Sequence, residues 1–379
     1  MSKFRWGLLL TAVVVIAGSV GGATAVAQPK RAAAPAAAPQ LKIALSNSFI
    51  GNKWRIEMEN VFKAACKMPP FKQQVKCSIY NSGNDVSKQT QQISNLVSSG
   101  VDAILVDAAS GTGLNGIIQQ ACARHILVVA YDNLVTAPCA IKINGSQYQY
   151  GVQNAQYIVD HLPGHKGNVI MVTGVAGTQA DTDRNDGAKS VFKKYKGIKL
   201  AATYTGMWDS ATAQRNTASQ LPSLPKIDGV WSSGGTDGIL KAIIAAGKPL
   251  PTVVGGEAEN GFRRFLVGYH GKKLKYGLSL GQPPFNVLVA LEVAREVLRK
   301  EHAVPKGTVW LPFPAANEKT AKLGVNVFTN VPDSFFDAFT DSGPNAIVKV
   351  CVQAALTGAA CPGTMKVNVP WTYHPAGAR

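Results

Sequence analysis

The chain has 379 residues, a formal net charge of +17 and 46% hydrophobic residues. This length exceeds what one ordinary hydrophobic core accommodates and favours two domains. The basic residues are scattered, with the densest clusters at 193–196 and 272–275. Solvated helix faces and turns explain such a distribution better than a nucleic-acid surface does, and only a weak attraction to anionic surfaces or ligands stays open.

The first residues have the order of a secretory signal peptide. Lys3 and Arg5 precede an apolar stretch, and small residues follow up to Ala27. We expect cleavage after Ala27, so that 1–27 is removed and the mature protein is periplasmic or cell-envelope-associated. The alternative is an uncleaved membrane anchor, because about 20 apolar residues can span a bilayer. Residues 28–40 are rich in Ala and Pro, which is typical of a linker.

The six cysteines fall into three local pairs, each placed to tie one element to its successor. Six cysteines allow fifteen connectivities. We predict three short-loop disulfides, each stabilising the fold by about 2–3 kcal/mol, namely Cys66–Cys77, Cys122–Cys139 and Cys351–Cys361. Disulfides indicate an oxidising compartment. The cysteine spacing does not suit a metal site, because no Cys-x-x-Cys occurs.

The mature chain alternates short apolar strands with helices. Strands are predicted at 41–45, 75–80, 103–106, 126–130, 169–173, 199–204, 229–232, 252–255, 277–280, 308–311 and 323–328. Helices are predicted at about 53–67, 85–99, 114–124, 147–162, 182–195, 209–220, 236–246, 285–300 and 343–357. This rhythm predicts an α/β fold with parallel sheets and helices on both sheet faces.

The strand predicted at 126–130 indicates where a ligand site lies. It is an unbroken apolar run, which is typical of a strand buried on both faces of a parallel sheet. Ligands of open α/β sheets bind beyond the carboxyl ends of such strands, so Asp132 stands where a ligand is expected. The chain then crosses through 141–145 and a second βα series begins. This change predicts a hinge between two lobes.

Seven stretches occur in one order along the chain: IALSNSFIGNKWRIEMENVFKAA, QISNLVSSGVDAILVDAAS, ILVVAYDN, GNVIMVTGVAGTQADTDRNDGAK, GVWSSGGTDGILKAI, TVVGGEAENG and GLSLGQPP. In this order they resemble the sugar-type class I periplasmic solute-binding proteins, the ribose-binding-protein-like subunits of ABC importers. The resemblance runs from residue 41 to about residue 312. The last 60 or so residues match less clearly.

The resemblance implies two similar, doubly wound parallel-sheet lobes joined by a three-strand hinge. Residues 41–144 with 283–311 would form the N-terminal lobe, and 145–282 with 312–379 the C-terminal lobe. It also implies a binding protein and not an enzyme. Such a protein closes on a small sugar or polyol and delivers it to a permease in the inner membrane. The alternative is a periplasmic receptor whose ligand-bound form signals to a chemotaxis or sensor-kinase protein.

The resemblance also implies ligand contacts from both lobes. A sugar needs charge-assisted hydrogen bonds to its hydroxyls and an aromatic face against its C–H surface. In the first lobe the matching positions are Asn47, Phe49, Asn52, Trp54, Asp132 and Asn133. The family often has arginine where Asn133 stands, so a charged donor is missing there. Trp54 fits a core position equally well.

In the second lobe and at the third crossover, the matching positions are Asp181, Arg184, Trp208, Asp237, Glu257 and Gln282. Arg184 matches an arginine of the family, Trp208 a stacking aromatic, and Gln282 a glutamine. Glu257 replaces an aspartate and is one carbon longer. Asp181 and Asp237 fit helix caps as well as ligand contacts.

Enzyme alternatives have weaker sequence support. Residues 111–116 have a formal G-x-G-x-x-G spacing, but 107–110 separate them from the preceding strand, which disfavours an NAD-dependent oxidoreductase. A glycosidase needs two carboxylates across one cleft, and Asp132 with Glu257 would serve equally well as sugar ligands. We therefore expect no cofactor, no metal and no nucleic-acid partner, and we expect a monomer.

Overall fold

A computed structural model describes residues 38–268, 270–336, 347–348 and 350–377. The predicted signal peptide and all but the last three residues of the predicted linker lie outside these ranges. Among the residues within them, none of the helices combines the length and apolar character that a membrane crossing requires.

The strands are β1 (Leu41–Asn47), β2 (Val75–Asn81), β3 (Ala103–Asp107), β4 (Leu127–Tyr131), β5 (Ile141–Asn144), β6 (Gly167–Thr173), β7 (Ile198–Thr205), β8 (Gly229–Ser232), β9 (Val253–Glu257), β10 (Tyr276–Leu280), β11 (Val309–Trp310) and β12 (Ala315–Asn317). The α-helices are α1 (Lys53–Ala65), α2 (Phe71–Gln74), α3 (Val86–Ser99), α4 (Asn115–Ala123), α5 (Gln147–His161), α6 (Gln179–Phe192), α7 (Ser210–Gln220), α8 (Thr236–Ala245), α9 (Asn260–Val267), α10 (Asn286–Leu298) and α11 (Val352–Thr357).

The strands form two separate sheets, each the centre of one α/β lobe. The first has the order β11-β5-β4-β3-β1-β2, and the second has the order β12-β10-β9-β8-β6-β7. Neighbouring strands pair in parallel, except that β12 runs antiparallel to β10. Strands β3, β8 and β9 are buried along their whole length because helices cover both sheet faces. The predicted fold class of two doubly wound lobes is confirmed.

The chain passes between the two sheets three times. It leaves the first sheet after β5, and after β10 it returns with α10, which packs into the hydrophobic core of β3, β4 and β5. Strand β11 then extends the first sheet and β12 the second. These crossovers lie near residues 145, 282 and 312, and they place the carboxyl ends of both sheets at one shared cleft.

The C-terminal segment departs from the predicted domain division. Residues 312–379 were expected in the second lobe, but Val350, Ala354 and Met365 share a hydrophobic core with α1 of the first lobe. Asn60 of α1 donates its side-chain amide to the carbonyls of Ala355 and Leu356, at 2.9 and 3.0 Å. The apolar face of α1 needs cover, and α11 supplies it. The end of the described chain therefore belongs to the first lobe.

Four element predictions in the second half of the chain differ from the structure. Helix α9 and strand β12 were not predicted, because both are short and a turn-rich sequence surrounds them. The strand expected at 323–328 is a turn in which Leu323 and Val327 form an isolated bridge. The helix expected from about 343 begins at Val352 as described, and 343–346 and 349 lie outside the described residues.

All three predicted disulfides are present. Cys66 follows α1 and bonds to Cys77 of β2. Cys122 of α4 bonds to Cys139, which precedes β5, and Cys351 and Cys361 bracket α11. Each bond closes a loop of 10–17 positions, so each restricts the unfolded chain while fixing a helix to the next element.

Helices α5 and α6 of the second lobe pack closely through glycine. A Cβ atom placed on Gly151 would collide with the carbonyl oxygen of Arg184, and one placed on Gly187 would collide with the carbonyl oxygen of Tyr148. The two helix backbones therefore touch where a side chain would separate them. This contact fixes the position of α6 relative to α5, and with it the position of Arg184.

We expect Gly151→Ala to lower the free energy of unfolding by about 1–3 kcal/mol, because the added methyl group forces α5 and α6 apart. Gly116→Ala is the matched control. Gly116 is an exposed residue of α4 with open space around its Cβ position, so alanine should leave stability equal or raise it by up to about 1 kcal/mol. Denaturant unfolding of both variants measures the difference. Equal stability of the two would contradict the close-packing account.

Candidate functional site

A cavity of about 520 Å³ lies between the two lobes. This volume falls within the range of about 300–1,000 Å³ that is usual for small-molecule sites. Its walls are loops that follow the carboxyl ends of strands in both sheets, together with the first turns of α1 and α6. The cavity thus occupies the place where ligands of open α/β sheets bind.

A buried ionic network forms the wall of the first lobe. Arg55 of α1 pairs closely with Asp107, and its Nη2 lies 3.4 Å from Oδ2 of Asp132. Its Nη1 also donates to Oδ1 of Asn47 at 2.7 Å. Asn133 donates its side-chain amide to both aspartates, at 3.2 Å to Asp107 and 3.1 Å to Asp132. The guanidinium is therefore held from three directions within one lobe.

The sheet brings the two aspartates together. Asp107 ends β3 and Asp132 directly follows β4, and these strands are neighbours in the first sheet. Asp132 has a φ of 56°, a left-handed conformation that is uncommon outside glycine but accessible to aspartate. Its carbonyl accepts a hydrogen bond of 2.8 Å from the side chain of Asn144. This bond holds the turn that presents the Asp132 carboxylate.

Burial changes the acid–base properties of this network. Burial raises the pKa of Asp107 to about 7, because the loss of hydration outweighs the attraction of Arg55. Burial also raises the pKa of Asp132, and Arg55 and Arg184 act against that shift. For Arg55, burial opposes the charged form, but the attraction of Asp107 and Asp132 prevails and raises its pKa. The arginine is therefore a permanent cation.

A second buried arginine forms the opposite wall. Arg184 of α6 donates from Nη1 to Oε2 of Glu257 at 2.5 Å and to the carbonyl of Ser233 at 2.7 Å. Its Nε donates to Oε1 of Gln147 at 2.7 Å. The guanidinium carbon lies 4.0 Å from the ring centroid of Tyr150, which is a cation–π geometry. Arg184 is thus fixed within the second lobe before any ligand arrives.

Trp208 reaches the cavity from a strained turn. Met207 and Trp208 have φ values of 58° and 54°, which bulky residues rarely adopt. The indole Nε1 donates to Oγ of Ser233 at 2.9 Å. Position 174 must be glycine here, because a Cβ atom would collide with the indole ring. Strain of this kind is concentrated at functional sites, and here it serves to aim an aromatic ring at the cavity.

The third crossover connects both walls. Trp54 of α1 donates from its indole to the carbonyl of Gln282 at 2.6 Å. The backbone N–H of Gln282 donates to Oε1 of Glu257 at 3.2 Å, and its side chain donates to Asn144. Trp54 is both a core residue and part of the cavity lining. The hinge residue Gln282 therefore joins the two ionic networks.

Most residues proposed from the sequence line the cavity, namely Phe49, Asn52, Trp54, Asp132, Asn133, Arg184, Trp208, Glu257 and Gln282. Three do not belong to the described lining. Asn47 is fully buried beneath Arg55. Asp181 accepts the backbone N–H of Gly174 at 2.5 Å, and Asp237 pairs with Lys241 at 2.6 Å. Asn47 supports the cavity-lining Arg55, Asp181 fixes the loop that follows β6, and Asp237 forms an ion pair within α8.

Arg55 and Asp107 were not predicted from the sequence. A charged donor was expected to be missing beside Asp132, and the structure supplies one from Arg55, 77 positions earlier in the chain. A signal was present, because a cation in the first turn of a helix opposes the helix dipole and needs another reason to be there. Asp107 ends a buried strand just as Asp132 follows one. Phe336 also lines the cavity, and no local pattern indicates it.

Two similar lobes, a hinge and a polar cleft between them are the features of a solute-binding protein. Residues 43–302 match the family described as periplasmic binding protein domain, and the chain belongs to this family.

The relatives include a xylitol-binding protein of Mycolicibacterium smegmatis, which is 30% identical over 269 residues, covering 69% of this chain and 75% of that protein. The ribose import binding protein of Bacillus subtilis is 24% identical over 262 residues, covering 68% and 82%. The crystal structure of an ABC transporter solute binding protein from Thermobispora bispora superposes with a TM-score of 0.66 at 28% identity, covering 88% of this chain and 100% of that one.

This membership decides among the function classes considered above. The family consists of periplasmic solute-binding proteins, and they do not catalyse reactions. The protein is therefore a solute-binding protein and not an oxidoreductase or a glycosidase. The cavity between the lobes is the candidate binding site.

The shifted pKa of Asp107 predicts a pH dependence of stability. The value is about 7 in the folded protein and about 3.9 in an unfolded chain, so the folded state binds more protons between these values. The contribution of Asp107 to stability is therefore lost as the pH rises from about 4 to about 7. Asp107→Asn does not titrate, so the melting temperature of the variant minus that of the parent should increase from about pH 5 to about pH 8.

The control for this measurement is Asp186→Asn, which removes one exposed carboxylate from α6. It shows what the loss of a surface carboxylate does to the melting temperature in the same buffers. A difference between Asp107→Asn and the parent that does not change with pH would contradict a raised pKa at Asp107.

Proposed function

We propose that this protein binds a small neutral sugar or polyol in the cleft and delivers it to an ABC permease. The observation that carries the proposal is that each lobe brings one buried arginine to the cavity, already paired with carboxylates of its own lobe. Arg55 pairs with Asp107 and Asp132, and Arg184 pairs with Glu257.

Paired charges favour a neutral ligand. An anionic solute needs an unpaired cation, whereas both arginines already pair with carboxylates of their own lobe. The paired groups still offer spare N–H donors and oxygen lone pairs at fixed positions. A hydroxyl group both donates and accepts, so it can bridge a carboxylate and a guanidinium with charge-assisted hydrogen bonds. A molecule carrying several hydroxyls suits a cavity with such groups on both walls.

Aromatic side chains supply the complementary apolar contacts. Trp54, Trp208 and Phe49 belong to the cavity lining. Flat aromatic faces pack against the C–H surface of a sugar or polyol, while the hydroxyls point to the polar groups. The proposed ligand class agrees with the relatives, whose names specify xylitol and ribose.

The export route is part of the same proposal. The N-terminal order of basic, apolar and small residues favours a signal peptide cleaved after Ala27, and the three disulfides suit an oxidising compartment. We propose that the mature protein acts as a monomer that alternates between open and closed lobes. The ligand favours closure only by binding the closed form more tightly than the open form.

Ligand binding should be visible as thermal stabilisation. We expect at least one of xylitol, D-ribose and D-glucose to raise the melting temperature, since a ligand at 100 times its Kd adds about 2.7 kcal/mol. Tryptophan fluorescence should change as well, because Trp54 and Trp208 line the cavity. The matched control is D-xylonate, which carries a carboxylate in place of one terminal CH₂OH of xylitol and should bind more weakly. The proposal would be contradicted if none of xylitol, D-ribose and D-glucose raised the melting temperature, or if xylonate bound more tightly than xylitol.

Asp132→Asn should weaken binding of the responding solute by roughly 30–100-fold, because the neutral amide gives weaker hydrogen bonds to ligand hydroxyls than the carboxylate does. Arg55 keeps its pairing with Asp107, so the melting temperature without ligand should stay near that of the parent. Asp186→Asn makes the same charge change at an exposed site and should alter the Kd less than twofold. Titration calorimetry measures all three proteins. Parent-like affinity in Asp132→Asn would remove Asp132 from the site.

A further inference from the structure

The C-terminal segment lies beyond the family match, which ends at residue 302. Its residues 328–336, here called the strap, run from the second lobe to the first. The strap is thus a fourth connection between the lobes, in addition to the three crossovers near residues 145, 282 and 312.

The strap is anchored firmly on the second lobe. Asp333 accepts from Nη1 of Arg264 at 2.5 Å and from Nζ of Lys241 at 2.8 Å. The side chain of Asn260 donates to the carbonyl of Phe328 at 2.9 Å and accepts its N–H at 2.8 Å. The backbone N–H of Asn260 also donates to the carbonyl of Phe335 at 2.7 Å. These bonds fix the strap along the start of α9.

The end of the strap reaches the first lobe. The backbone N–H of Phe336 donates to the buried carboxylate of Glu57 in α1, at 3.1 and 3.3 Å to its two oxygens. The rings of Phe335 and Phe336 lie in the same hydrophobic core as Trp54 and the rest of the buried face of α1. The strap therefore contacts both lobes within nine residues.

This course brings an aromatic ring to the binding cavity. Phe336 is 6% exposed and lines the cavity together with Trp54. On the other side it forms an isolated bridge with Glu259, which also lines the cavity. The ring of Phe336 cannot form conventional hydrogen bonds, so it offers the ligand an apolar surface between two polar walls.

We propose that Phe336 is a ligand-contacting residue that helps to set specificity, supplied to the site by a segment outside the matched domain. This inference rests on the proposed function. Phe336 packs against a C–H face of the solute and excludes hydroxyls from that part of the cavity. The docked strap is thus a component of the binding site.

Phe336→Ala tests the inference, with Phe328→Ala as the matched control. The contact with Glu57 uses the N–H of residue 336 and not its ring, so Phe336→Ala retains this attachment. Phe328 is an aromatic of the same strap that packs edge-to-face with Phe335 and is not part of the described cavity lining. Both variants lose an aromatic ring from the strap, and only one of them changes the cavity.

Titration calorimetry with xylitol, D-ribose and D-glucose, and melting without ligand, give the readouts. We expect Phe336→Ala to weaken binding of the responding solute about tenfold and Phe328→Ala to alter it less than twofold, with both variants melting below the parent. Parent-like affinity in Phe336→Ala, or an equal loss in both variants, would overturn this inference and leave the proposed function intact. If the parent protein binds none of the three solutes, the proposed function is overturned, and this inference with it.

Discussion

The arrangement of the site depends on charge pairing that is complete within each lobe. A buried guanidinium without a partner costs several kcal/mol, so a cleft that opens and closes cannot rely on the opposite lobe to neutralise it. Arg55 pairs with Asp107 and Asp132, and Arg184 pairs with Glu257. Each wall can therefore move away from the other without leaving its arginine unpaired. The same pairing leaves no unpaired cation to attract an anionic solute, which connects the electrostatics of the fold to the proposed ligand class.

The connections between the lobes combine close packing with a small number of hydrogen bonds. Gly145 and Gly281 flank the crossings, and a Cβ atom at either position would collide with a neighbour, Gln282 for the first and Ala258 for the second. Gln282 contacts Glu257 of one lobe and Trp54 of the other. The strap adds a further connection on the side of α1. The hinge and the strap thus lie next to the cavity. A ligand that contacts the cavity lining would therefore also contact segments that join the lobes.

Alternation of apolar strands and helices was enough to predict the two lobes, because parallel strands buried on both faces are unbroken apolar runs. The position after such a strand was enough to place Asp132. The same rule applied to β3 would have found Asp107, and the position of Arg55 in the first turn of α1 was a second signal that propensity alone does not explain. The contact of Phe336 with α1 and the packing of α11 on α1 could not be predicted, because they join residues nearly 300 positions apart. Local patterns contain no information about such pairings.

In the proposed binding mode, one neutral solute is held by both lobes at once. A crystal structure of the protein with the sugar or polyol that stabilises it most tests this mode. We expect a solute in the cleft with hydroxyl oxygens within about 2.6–3.2 Å of both Asp132 and Arg184. A solute bound outside the cleft, or one that contacts the polar groups of a single lobe, would contradict it.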